Sequence, residues 1–227
     1  MTTQRRPTIG VLGGTGPLGR GLAVRLAQAG HVVVVGSRDA QRAAAAAKEL
    51  GTEHDDASER LRGAANAEAA GADVVVVAVP FDGVEPTLGP LATALAGKVV
   101  VSCVNRLGFD AQGPHPIPVS AGSAAELVAE LLPESLVVGA FHHVPAGRMR
   151  RADGPVEMDV LITGDHDEAC GTVAGLVEAI PGMRAVRAGP LRLTRPLEEL
   201  TAVIIAVNRR YRTAAGVQIA GLPAAPR

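Results

Sequence analysis

Residues 8–19 read Thr-Ile-Gly-Val-Leu-Gly-Gly-Thr-Gly-Pro-Leu-Gly. An apolar run of strand length, 8–12, passes directly into glycines, and a stretch of helical periodicity, 18–29, follows. Gly14, Gly16 and Gly19 have the spacing of a strand–turn–helix phosphate cradle. The first glycine permits the tight turn, the second lets backbone approach a pyrophosphate without a Cβ, and the third lets the helix pack closely on the strand. The helix start then directs free N–H groups and its positive dipole end at the phosphates. Pro17 suits the first helical turn, where a missing N–H costs nothing. Thr15 and Leu18 add backbone groups, and Thr15 a hydroxyl, so the turn predicts a dinucleotide held by Gly14, Thr15, Gly16, Pro17, Leu18 and Gly19.

Outward from this turn the alternation repeats. Valine-rich apolar runs at 31–35, 73–79, 98–104, 136–141 and 158–163 are continuous rather than alternating. Strands buried on both faces require that pattern, which predicts a mostly parallel sheet. Helical stretches at 40–50, 122–132, 166–180 and about 195–214 lie between or after them. The fold class is therefore α/β, a doubly wound Rossmann-like sheet. Residues 51–62 read as a polar loop, 108–118 as irregular proline-bearing chain, and 222–227 as a disordered tail.

Where the second strand ends, nucleotide choice is made. An NAD site places Asp or Glu there to hold the ribose hydroxyls. This chain has Gly36-Ser37-Arg38, and Asp39 stands one residue late, where it starts the next helix. Ser37 offers a hydroxyl, and Arg38 and Arg42 offer guanidinium forks to a 2′-phosphate. The cofactor expected is NADP(H).

The totals narrow the partners. The chain has 227 residues, 47% of them apolar and 2% aromatic, with a formal charge of −1. That balance argues against nucleic acid or an anionic membrane as a partner. No stretch approaches the ~20 apolar residues of a membrane span, and no secretory signal follows Arg5 and Arg6, so a cytoplasmic protein is expected. Cys103 and Cys170 fit no metal spacing, and no metal is expected.

Several chemistries drop out. The lysines are Lys48 and Lys98, on a helix and at the amino end of a strand, away from the ligand edge. The single tyrosine, Tyr211, has Ala215 four residues on, so no Tyr-x-x-x-Lys pair exists. No nucleophile elbow or Walker sequence occurs. A reductase that needs no strong protein acid remains, and hydride transfer between two ring cofactors fits it.

The chain resembles the NADPH-dependent reductases of coenzyme F-420 (F420), a 5-deazaflavin, over nearly its whole length. The pieces are residues 11–19, Val35-Gly36-Ser37-Arg38, Ser123-Ala124-Ala125-Glu126, residues 140–146 (Ala-Phe-His-His-Val-Pro-Ala), Ala188-Gly189-Pro190-Leu191 and Val207-Asn208-Arg209-Arg210-Tyr211. The resemblance implies an NADP-binding domain over 1–165. It implies a small, mainly helical C-terminal domain over 166–227, which completes the deazaflavin pocket and forms the interface of a homodimer. It implies reversible hydride exchange between NADP(H) and coenzyme F-420. It carries NADP contacts onto Thr15, Gly16, Pro17, Leu18, Ser37, Arg38, Arg42, Phe81, Asn105 and Ala146, and the deazaflavin pocket onto His142 and Val144. Two departures stand out: Phe81 replaces a larger aromatic, and Cys103-Val104-Asn105 replaces a more apolar, proline-containing stretch.

The residues themselves leave choices open. Phe81, Asn105, His142 and Val144 fall at carboxyl ends of expected strands, the edge where open α/β sheets bind ligands. Phe81 reads as a neighbour of the nicotinamide or as a core or interface aromatic. Asn105 reads as a partner of the carboxamide or as a mark of a different acceptor. His142 reads as a catalytic hydrogen-bond or proton donor, or as a structural histidine. Val144 reads as a ring-stacking surface or as core. Arg148, Arg150 and Arg151 are rim cations for the charged F420 tail or a solvated loop. Two other functions share the glycine turn: NADPH-dependent reduction of a small imine or carbonyl, and a non-catalytic NADP(H)-sensing module.

Overall fold

The valine runs become strands with no wet face. In β1 (Ile9–Leu12), β2 (Val33–Ser37) and β4 (Val74–Val77) every residue is buried. A computed structural model describes residues 5–222; the tail expected to be disordered lies, from 223 on, outside them. The remaining strands are β3 (Leu61–Ala65), β5 (Val99–Ser102), β6 (Leu107–Asp110), β7 (Gly113–Pro116), β8 (Leu136–Gly139), β9 (Met158–Gly164) and β10 (Met183–Gly189). Among the described residues, eight of the ten strands form one sheet, in the order β10-β9-β8-β5-β4-β1-β2-β3. Every pairing in it is parallel except β8 with β9.

The period of two sends alternate residues to opposite helical layers. Ile9, Val11, Val33, Val35, Val74 and Val76 pack under α1 (Pro17–Gln28), α2 (Ala40–Glu53) and α8 (Asp167–Glu178). Leu12, Val34, Val75, Val77 and Val100 face the other layer. That layer holds α3 (Asn66–Ala69), α4 (Val84–Leu88), α5 (Ala92–Leu95) and α6 (Ala124–Leu131). Two further helices matter for the site: α7 (Ala146–Arg151), which packs on α1, and α9 (Thr194–Tyr211). The chain winds from β1 outward through β2 and β3, then returns to β4 on the other side of β1. This reversal opens the crevice in which doubly wound sheets bind dinucleotides.

The structure departs from the sequence reading in four places. The stretch 51–62 is no loop: α2 runs to Glu53, a 3-10 turn covers Asp55–Arg60, and β3 begins at Leu61. As an edge strand, β3 is mostly half-exposed and lacks the continuous apolar run of an inner strand. The opposite edge, β10, is hidden in the same way by Arg184 and Arg187. Within 108–118 the chain forms the β6–β7 hairpin, whose turn is held by Asp110 Oδ1 accepting from the N–H of Gln112 (2.8 Å) and Gly113 (3.1 Å). Pro114 and Pro116 fit a two-stranded ribbon, where a missing donor faces outward. Finally, residues 166–189 do not leave the sheet. β9, α8 and β10 make a parallel crossover unit across the expected boundary at 165, and α9 is the helical part that follows.

The antiparallel joint has a consequence for the site. β9 meets β8 only through Val138 with Gly164 and Gly139 with Thr163. Residues 158–162 therefore run on past the carboxyl end of β8 and wall that edge of the sheet.

Candidate functional site

The glycine turn is built as its spacing demands. Gly13 adopts φ +74°, a left-handed conformation that favours glycine. Gly14 N–H donates to the carbonyls of Val11 (3.1 Å) and Gly36 (2.9 Å), tying the turn to β2. A Cβ on Gly14 would meet Val11 O at 2.8 Å and Val35 Cγ1 at 2.9 Å, and one on Gly19 would meet Gly13 O and Gly14 Cα at 2.7 Å. Gly16 differs: its Cβ would meet only Gly13 O, at 3.3 Å, and otherwise point into open space. The first and third glycines thus serve internal packing, and the second leaves room over the turn.

Gly16 is the N-cap of α1, Pro17 is its first residue, and no side chain caps it; the first turn carries no acidic residue. The N–H groups of Leu18 and Gly19 therefore lack intrahelical partners. Helix dipole and free donors point into the space that Gly16 keeps clear, an arrangement that fits a pyrophosphate.

Beyond β2 the expected nucleotide selectors stand together. Ser37 is buried and its Oγ accepts from Asp39 N–H at 3.3 Å. Asp39 caps α2, accepting from the N–H of Gln41 (2.9 Å) and Arg42 (3.2 Å), so its carboxylate is committed away from a ribose. Arg38 and Arg42 are exposed, and their guanidinium groups make no hydrogen bond or ion pair among the described residues. Two uncommitted cations where a carboxylate would exclude a 2′-phosphate fit NADP(H).

Phe81, Asn105, His142, Val144 and Ala146 all follow carboxyl ends of β4, β5 and β8. Phe81 is half-buried, with the Arg106 guanidinium 4.6 Å above its ring. Asn105 Nδ2 donates to the His142 carbonyl at 2.9 Å. Val144 is buried, and Ala146 opens α7. The segment between them turns sharply: Phe141, buried and not a glycine, has φ +62°. Such a conformation costs of order 1–3 kcal/mol and persists only where the surroundings impose it.

His142 does not present its ring to solvent. It is 2% exposed, and among the described residues neither ring nitrogen makes a well-formed hydrogen bond. Burial, aided by neighbouring His143, pushes its pKa down to about 3, and the Val104 backbone opposes this only weakly. His143 is held at about 4 by burial, with Asp159 opposing, and its Nε2 accepts a long 3.5 Å bond from Leu161 N–H. Both imidazoles are neutral near pH 7. The groups that His142 offers there are its backbone carbonyl and a neutral ring.

Of the rim arginines, Arg150 is committed to Glu49 (3.0 Å) and Glu53 (2.9 Å) of α2, and Arg148 donates to Pro155 O at 3.1 Å. Arg151 stays exposed without a partner among the described residues.

The sequence reading missed three polar side chains on α9. Thr194, Glu198 and Thr201 recur at helical spacing and are buried, while Val203 and Tyr211 are exposed. This helix docks by its polar stripe. Thr194 Oγ1 lies 2.6 Å from Thr163 Oγ1 on β9. Glu198 accepts from the N–H of Ala124 (2.9 Å) and Ala125 (3.1 Å) at the start of α6. Thr201 Oγ1 donates to the His142 carbonyl at 3.0 Å, beside Asn105. The i, i+4, i+7 recurrence of Thr, Glu and Thr was the available signal; among flanking charges it looks like an ordinary solvated face.

Comparison with known proteins agrees with this geometry. Residues 8–106 match a family described as NADP oxidoreductase, coenzyme F420-dependent. The F420-dependent NADP reductase of Methanothermobacter marburgensis is 39% identical over 95% of this chain and 99% of its own length. The F420-dependent NADP reductase of Methanocaldococcus jannaschii is 36% identical over 94% and 98%. A crystal structure of an Arthrobacter protein, described as an F420-dependent NADP reductase, superposes with a TM-score of 0.78 at 29% identity, over 94% of this chain and 99% of that one. On identity sustained along nearly its full length, this chain belongs to the family of F420-dependent NADP reductases.

Proposed function

We propose that this chain catalyses reversible hydride transfer between NADP(H) and coenzyme F420, as a homodimer in the cytoplasm. The observation that carries the cofactor half is the pairing of an uncapped α1 start with the uncommitted Arg38 and Arg42. Gly14, Thr15, Gly16, Pro17, Leu18 and Gly19 hold the pyrophosphate, and Ser37, Arg38 and Arg42 hold the 2′-phosphate. Phe81, Asn105 and Ala146 line the nicotinamide end, and His142 and Val144 the deazaflavin side. When bound, the nicotinamide and deazaflavin rings supply hydride donor and acceptor.

The protein contributes alignment and exclusion of water. Asn105 and Thr201 converge on the His142 carbonyl and hold the 141–146 turn in place. Residues 158–162 close one side of the edge. The His142 ring acts as a neutral group, because the imidazolium is suppressed at working pH. Proton exchange therefore runs through solvent or a neutral N–H.

Two observations support the dimer and the compartment. Leu197, Leu200, Val203, Ile204, Val207 and Tyr211 form a second stripe along α9 that the monomer leaves partly or fully exposed. Cys103 and Cys170 are free, buried thiols, as expected in a reducing compartment. Among the described residues no helix is long and apolar enough to cross a membrane.

Mixing the protein with NADPH and oxidised F420 tests the assignment through the deazaflavin's visible absorbance. Bleaching that depends on the enzyme is expected. No bleaching with micromolar enzyme, or turnover of small carbonyls or imines instead, overturns it.

A further inference from the structure

Glu198 hydrogen-bonds to none of the residues assigned to either cofactor, yet it is 5% exposed, on a helix that could turn a carboxylate toward water. Burial raises its carboxyl to about 7 against the pull of two backbone N–H bonds. Keeping an acid there is costly, and an apolar residue would avoid the cost. Nor does α6 depend on it for an ordinary cap. Ser123 Oγ already accepts from Glu126 N–H at 3.0 Å and donates to Glu126 Oε2 at 2.8 Å. Glu126 from α6, and Glu199 and Arg195 from α9, are the charged groups around it, and Arg106 lines the same small cleft.

What Glu198 does is join two elements at a defined depth. Its carboxylate spans from α9 to Ala124 and Ala125 of α6. One turn further along α9, Thr201 donates to the His142 carbonyl, which Asn105 holds from the other side. The same carbonyl stands two residues before Val144, within the turn that Phe141 forces at the end of β8.

We propose that Glu198 is a positioning residue for hydride transfer: by clasping the start of α6 it sets the depth of α9, and so keeps Thr201 and Asn105 on the His142 carbonyl that shapes the acceptor side of the pocket. The proposal rests on the F420 reading of that pocket. The glycine turn and Arg38 lie on other elements, so the clasp acts where the two rings meet and leaves the phosphate-binding end, which carries most of the NADPH affinity, unchanged.

Glu198→Gln keeps the shape but turns an amide NH2 toward backbone donors. It is assayed beside Thr201→Val and the double variant, with NADPH affinity measured separately by nicotinamide fluorescence. We expect kcat/KM for F420 to fall about 10- to 100-fold in each single variant, NADPH Kd to stay within about twofold, and the double variant to fall no further than the worse single one. Wild-type turnover by Glu198→Gln, losses that multiply in the double variant, or an NADPH Kd that weakens in step with the acceptor would each refute the clasp. If Glu198→Gln does not accumulate folded, Glu198→Asp, which keeps the charge and shortens the reach, gives the same three readings. A wild-type protein inactive on F420 defeats the functional reading and this proposal together; an active wild type with an indifferent Glu198→Gln defeats the proposal alone.

Discussion

At the residue scale, the role proposed for Arg38 is to separate two cofactors that differ by one phosphate. Its guanidinium has no partner among the described residues, and the nearby carboxylate that would repel a phosphate, Asp39, is spent on capping α2. A charge-assisted hydrogen bond contributes about 1.5–3 kcal/mol. Arg38→Ala should therefore cost NADPH about ten- to a hundredfold in KM while leaving NADH nearly unchanged; equal losses for both would remove the 2′-phosphate role. His142 and His143 give a second residue-scale test, in stability. Held at about 3 and about 4, they return to 6.5 on unfolding, so the unfolded chain binds more protons below pH 6.5. Their contribution is complete above pH 6.5 and is lost as pH falls toward those values, by about 1.4 kcal/mol per pH unit for each ring. Glu198 has the opposite sign: held at about 7 against 4.5, its contribution is present below 4.5 and lost as pH rises through 7. Two rings outweigh one carboxyl, so the urea midpoint should drop between pH 6.5 and 5. Replacing one ring, as in His142→Asn, should flatten that drop, and an unchanged slope would mean that the ring is not held neutral.

At the scale of elements, the three glycines of one turn separate into two kinds. Gly19→Ala places a methyl 2.7 Å from Gly13 O and Gly14 Cα, which lifts α1 off the strand. Overpacking of this sort costs about 1–3 kcal/mol, so Tm should fall along with NADPH affinity. Gly16→Ala meets only one atom, at 3.3 Å, and puts its methyl in the open space over the turn, the proposed approach of the phosphates. That variant should keep its Tm and lose NADPH, which calorimetry and fluorescence titration separate. The same elements show what a sequence exposes. Inner strands and the turn were legible because burial on both faces writes an unbroken Val run, and a backbone–phosphate approach demands glycine at fixed steps. β3 and β10 were not, because edge strands are half-wet and Arg62, Arg184 and Arg187 break the run. The hydrogen bonds of Glu198 and Thr201 reach Ala124 and His142, 74 and 59 residues away. Only the fold brings such partners together, and Phe141's left-handed backbone leaves no mark in its residue type.

Across the whole molecule, α9 is the element that presents two unlike faces. Its polar stripe, Thr194, Glu198 and Thr201, turns inward to β9, α6 and the His142 carbonyl. The apolar stripe is left facing outward, with Val203 56% and Tyr211 70% exposed, and Phe109 of β6, 58% exposed, lies under Arg209 of the same helix. A contiguous apolar surface on an otherwise charged protein marks an interface, and a single helix face that meets its own copy about a two-fold axis closes the assembly at a dimer. The chain of 23.1 kDa should then sediment at about twice that mass. Val203→Glu places a charge at the centre of the stripe without touching the inward face, so it should sediment as a monomer. Because the glycine turn, Ser37 and Arg38 lie on or directly beside β1, α1 and β2, far along the sheet order from α9's partner β9, that monomer should still bind NADPH with wild-type affinity. Its turnover of F420 is the informative quantity. If the partner steadies α9, and α9 steadies the His142 carbonyl, kcat should fall with dissociation and recover at protein concentrations that restore the dimer. A wild-type chain that sediments as a monomer at micromolar concentration would assign the stripe to some other surface and sever this link between assembly and catalysis.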